Sequence, residues 1–91
     1  MRKEFRATVA GKVQMVMYRD FAQRHAKRHH LRGTVKNLTN KTVEVIAQGE
    51  ETDLHAYIQK LHRGPLLARV DGVQLEWREP SAAFESFTIV Y

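Results

Sequence analysis

The 91 residues are 43% apolar and 27% charged, proportions that describe a single domain over residues 1–91 and exclude a disordered tail. No cysteine is present, which excludes thiol nucleophiles, Cys-based zinc sites and a disulfide scaffold, and leads to the expectation of a reducing, cytoplasmic setting. Fifteen Lys and Arg against ten Asp and Glu give a net charge of +5, which favours anionic partners without choosing among nucleic acid, anionic lipid and small phosphorylated metabolites.

The chain opens with Met1-Arg2-Lys3-Glu4-Phe5-Arg6 and nowhere approaches the roughly 18 uninterrupted apolar residues of a membrane span, so no sorting signal and no membrane segment are expected. Phe5, Ala7 and Val9 alternate with Arg6 and Thr8, the period of two of a half-buried strand, and the run fades near Gly11 to Val13. From Met17 to about Leu31, Phe21, Ala22, His25, Ala26 and His29 recur at steps of three and four, which predicts an amphipathic helix ending before Gly33. Gly33 to Leu38 and Lys41 to Gln48 are β-prone runs either side of Thr39-Asn40 and read as a hairpin. Thr52 or Asp53 is the expected cap of a second helix, with Leu54, Tyr57, Ile58 and Leu61 on one face and Gly64-Pro65 as its stop. A strand around Ala68 to Trp77, a break at Glu79-Pro80-Ser81 and a final run through Phe84, Phe87, Ile89 and Tyr91 complete the chain.

The resulting order is β-α-β-β-α-β with a short terminal strand. Two helices that each need one covered face imply an α+β, ferredoxin-like sandwich, an antiparallel sheet carrying both helices on one side. That architecture serves many functions, so only a site can choose among them.

Chemistry concentrates between the first strand and the first helix, in Gly11-Lys12-Val13-Gln14-Met15-Val16-Met17-Tyr18-Arg19. A short loop running into a helix N-terminus offers free backbone N–H groups and the positive end of the helix dipole, an anion site that needs no metal. Arg19 lies in that first turn, where a guanidinium can fork onto two phosphate oxygens.

This segment resembles the acylphosphatase signature G-x-V-Q-G-V-x-F-R, and Gly33-Thr34-Val35-Lys36-Asn37 is similar to the family's second motif, Gly-aromatic-Val-(Arg or Lys)-Asn. The resemblance continues through Val43-Glu44-Val45, Gly49, Leu61-x-x-Gly64-Pro65, Ala68-x-Val70 and Phe87-x-Ile89, nearly the whole chain. It implies an enzyme that hydrolyses the mixed anhydride of a carboxylic acid and phosphate, without metal, cofactor or covalent intermediate. By the same resemblance, Arg19 would bind the substrate phosphate beside the loop of Gln14, Met15, Val16, Met17 and Tyr18, and Asn37 would place the attacking water. Gln14 and Val16 read as structural members of that loop.

Three positions depart from the family pattern. Met15 replaces glycine, Tyr18 replaces phenylalanine and Thr34 replaces an aromatic residue. If position 15 demands a positive φ, methionine strains the loop by about 1 to 3 kcal/mol and activity is reduced. A catalytically silent binding or regulatory module therefore stays open as an alternative. An RNA-binding ferredoxin-like domain is the remoter one, because the basic stretch of Arg24, Lys27, Arg28, His29, His30 and Arg32 lacks the aromatic sheet face of RNA readers. His25, His29, His30, His55 and His62 have no carboxylate that completes a metal site, so no metal is expected. The expected partner is a small acyl phosphate, met by a monomer without nucleic acid or membrane.

Overall fold

The computed structural model describes residues 2–80 and 82–91; Met1 and Ser81, the latter in the expected break after the fourth strand, lie outside the described residues. Seven elements follow in order: β1 (Arg2–Lys12), α1 (Tyr18–Arg28), β2 (Arg32–Asn37), β3 (Val43–Glu50), α2 (Glu51–Arg63), β4 (Arg69–Arg78) and β5 (Phe87–Val90). The sheet order is β4-β1-β3-β2-β5. The four longer strands pair antiparallel as the ferredoxin-like reading requires, and the terminal strand joins parallel to β2, which makes the five-strand sheet mixed.

Both helices cover the same face. Phe5, Ala7 and Val9 of β1 lie opposite Ala47, Val45 and Val43 of β3, and all six are fully buried beneath Ala22 and Ala26 of α1 and Leu54, Tyr57 and Leu61 of α2. The alternate residues point to the other face, where Arg6 Nε meets Glu44 Oε2 at 2.8 Å. Two buried phenols tie the helices together: the Tyr18 hydroxyl donates to the Leu61 carbonyl at 2.6 Å, and the Tyr57 hydroxyl donates to the Ala22 carbonyl at 2.8 Å. Among the described residues no helix is long and apolar enough to cross a membrane.

Two helix boundaries differ from the sequence reading. Helix α1 stops at Arg28 rather than Leu31, because His30 takes φ 60° while its amide and that of Leu31 donate to the carbonyls of Lys27 and Ala26. This is the Schellman arrangement, and the buried Leu31 supplies its apolar contact. Helix α2 begins at Glu51 with Glu50 as N-cap and no side-chain capping bond, so Thr52 and Asp53 fall inside the first turn instead of capping it. The chain passes from β3 into α2 without a loop, and the acidic Glu51 and Asp53 complement the helix dipole in place of a cap.

Gly33 must be glycine for a steric reason. At φ 150° a Cβ would collide with the Ile46 carbonyl oxygen of the paired strand. Gly33→Ala is therefore expected to cost about 2 to 3 kcal/mol, a fall in Tm of about 10 to 20 °C in a domain of this size, by thermal unfolding. A loss under about 0.5 kcal/mol would show that β2 relaxes there freely.

His25 is buried on α1 with its ring 4.3 Å from Phe21. Burial, then the charges of Arg28, Lys60, Arg24 and Arg63, hold its pKa below the ordinary 6.5. The unfolded chain therefore takes up a proton first as pH falls, so the stabilising contribution is complete above about pH 6.5 and is lost on acidification through that value toward the lower folded pKa. Unfolding free energies measured between pH 5 and 7 should slope less steeply in His25→Gln than in the parent chain; identical slopes would assign the dependence to other groups.

Candidate functional site

The link from β1 to α1 is built by alternation. Val13, Val16 and Tyr18 are buried, whereas Met15 is fully exposed and Met17 is 67% exposed. The backbone alternates with them: φ is 62° at Met15 and 66° at Met17, while Val16 and Tyr18 keep the ordinary hand. Successive residues of opposite hand gather backbone N–H groups on one side, the concavity that suits an anion. Amides 14–17 have no backbone acceptor outside this loop among the described residues, and the amides that open α1 are helix-end orphans.

Gln14 fastens the loop rather than entering the cleft. Its Nε2 donates to the carbonyls of Leu38 and Thr42, both at 2.9 Å, so the loop is held against the β2–β3 turn, the segment that begins just after Asn37. Tyr18 is anchored by Leu61, and burial pushes its phenol far above its ordinary pKa, which leaves a neutral packing group and not a base.

Arg19 and Asn37 share a cleft. Arriving from the first turn of α1 and the last residue of β2, they line one cleft of about 560 Å³ together with Met15, Met17, Tyr91 and the apolar Val13 and Ile89. Asn37 Oδ1 is buried and has no hydrogen-bond partner in the chain among the described residues. The Arg19 guanidinium carbon stands 4.8 Å from the centre of the Tyr91 ring and, among the described residues, Arg19 is paired with no carboxylate. The neighbouring Asp20 also lines the cleft, and its carboxylate is paired with Arg24 at 2.9 Å. Gln14 and Val16 do not line the cleft.

Tyr91 and Ile89 enter the site without having been singled out as site residues in the sequence. In the sequence they appear only as the apolar beats of a terminal strand, and nothing there says which strand β5 pairs with. Because β5 runs parallel to β2, with Lys36 beside Val90, the two strand ends that lead to Asn37 and Tyr91 reach the cleft together. The five histidines, by contrast, do not converge: among the described residues no group of three or more His, Cys, Asp or Glu is placed to hold a metal ion.

Comparison with known proteins places the whole chain in a family. A family model described as Acylphosphatase matches residues 5–89. The chain is 36% identical over 87 residues to an acylphosphatase of Salinibacter ruber, covering 96% of this chain and 92% of the relative. It is 43% identical over 84 residues to one of Geotalea uraniireducens, covering 92% of each. Its fold superposes on the crystal structure of acylphosphatase from Bacillus subtilis with a TM-score of 0.95 at 31% identity, over the full length of both chains. With both motifs on one cleft and the match running through every element of the sheet, the chain belongs to the acylphosphatase family.

Proposed function

We propose that the cleft between the β1–α1 loop and the end of β2 is where this family member hydrolyses acyl phosphates, with Arg19 holding the phosphate and Asn37 placing the water. The observation that carries these roles is the convergence in one cleft of an arginine with no carboxylate partner and a buried amide oxygen with no hydrogen-bond partner, both among the described residues, and a loop of alternating hand.

The chemistry asks for little else. The phosphoryl oxygens accept from the loop amides and from the Arg19 fork, which neutralise the charge that spreads over them in the transition state. Asn37 Oδ1 accepts a hydrogen bond from the attacking water and aims its lone pair at phosphorus, opposite the anhydride oxygen. The water oxygen bonds to phosphorus as the bond to the acyl oxygen breaks. The carboxylate departs with the electron pair, and the water's proton passes to phosphate or solvent. A carboxylate, the conjugate base of an acid with pKa near 4, leaves without protonation, so no general acid is needed. A neutral amide suffices for the water because positioning supplies much of the rate.

The cysteine-free, net-positive composition supports the accompanying reading of a cytoplasmic protein acting on a small anionic substrate. The silent-module alternative rests on Met15, and there the backbone is informative: φ at that residue is positive, so the side chain is carried in a conformation that glycine adopts freely.

Hydrolysis of acetyl and benzoyl phosphate in the presence of EDTA tests the assignment directly. Arg19→Ala should lower kcat/KM by about 10²- to 10³-fold and raise the Ki of inorganic phosphate, whereas Asn37→Ala should lower kcat and leave that Ki unchanged. Wild-type turnover in both folded variants would refute the roles. For the loop, Met15→Gly should raise kcat/KM toward acetyl phosphate by up to about tenfold, the equivalent of 1.4 kcal/mol of relieved strain; a tenfold loss on that small substrate would show that strain does not limit the site.

A further inference from the structure

The cleft holds more apolar surface than a phosphate requires. Arg19, Asn37 and the loop amides account for the anion and the water, yet the same walls carry Met15 at 100%, Met17 at 67% and Tyr91 at 95% exposure. None of the three belongs to the buried core. Exposed apolar groups gathered beside a charged anchor mark a surface that is covered on binding. A cleft of about 560 Å³ is sized for a whole small molecule and not for its phosphate alone.

We propose, on the basis of the acyl-phosphate reading above, that Met15, Met17 and Tyr91 grip the acyl group and select substrates whose acyl part is aromatic or bulky and apolar over acetyl phosphate. The positive φ at Met15 and Met17 brings both thioether side chains out of the core and onto the cleft that holds Arg19. Unbranched thioethers adapt to irregular apolar shapes and make favourable contacts with aromatic rings. The Arg19 guanidinium stands against one face of the Tyr91 ring, and Val13 and Ile89 add to the apolar lining. An acetyl group presents one methyl to these walls. A benzoyl ring presents a whole aromatic face to them, with its phosphate still on Arg19.

The test is a ratio, because relief of loop strain in Met15→Gly acts on every substrate alike and cancels. The wild-type preference for benzoyl over acetyl phosphate in kcat/KM should fall by about fivefold in Met15→Gly and by about tenfold or more in Met15→Gly/Met17→Ala. A binding readout that needs no turnover accompanies it: calorimetric Kd values for benzylphosphonate and methylphosphonate should show the same loss of discrimination. An unchanged ratio in both measurements overturns the grip, as does a wild-type chain that binds the two phosphonates equally. Discrimination in binding with no hydrolysis of either acyl phosphate would instead uphold the grip and overturn the catalytic reading.

Discussion

The loop between β1 and α1 has to carry Val13, Val16 and Tyr18 into the core while turning Met15 and Met17 out, and the site depends on that constraint. Val16 and Tyr18 are buried only if the chain turns sharply between them, and the turn is made at Met15 and Met17 with left-handed backbone. Each such residue costs about 1 kcal/mol or more, so the conformation persists only because its surroundings over-determine it. Burial of Val13, Val16 and Tyr18, the two Gln14 bonds to the β2–β3 turn and the Tyr18 bond to Leu61 do so. The same strain that the core enforces turns the loop amides to one side and sets Met15 and Met17 on the wall of the cleft.

Rigidity reaches the loop through α2. The Tyr18 and Tyr57 hydroxyls make opposite crossings between the helices, each satisfying a carbonyl of the partner helix. The bond to Leu61 also takes up one of the orphan acceptors of the last turn of α2. Tyrosine at position 18 thus adds a tether that phenylalanine could not, and the first turn of α1, which carries Arg19, inherits a fixed position.

The far wall of the cleft arrives by a longer route. After β4, at one edge of the sheet, the chain crosses to the opposite edge and is pinned on the way: Arg78 and Gln48 both hold the buried Glu4 carboxylate, Gln48 donates to the Ala82 carbonyl, and the Gly33 amide donates to Ser86 at 3.0 Å. Gln23 of α1 then takes the Phe87 carbonyl at 3.1 Å. These contacts deliver β5 alongside β2, and with it Ile89 and Tyr91.

By itself the sequence determined the local chemistry: strand alternation, both helical faces, the loop that runs into a helix N-terminus, and the two motifs that name Arg19 and Asn37. Those are properties of neighbours in the chain, set by side-chain period and by backbone groups that every helix end leaves free. Helix ends were less legible, since the stop after Arg28 depends on Leu31 finding the core and the start at Glu51 on the absence of a loop after β3. The sign of φ at Met15 was also undetermined, because a methionine enters left-handed space only when distant burial compels it. Only the tertiary structure decided that Tyr91 stands over Arg19. Their meeting depends on which edge strand β5 joins and in which direction, and pairing across the fold is fixed by packing rather than by any residue near either one.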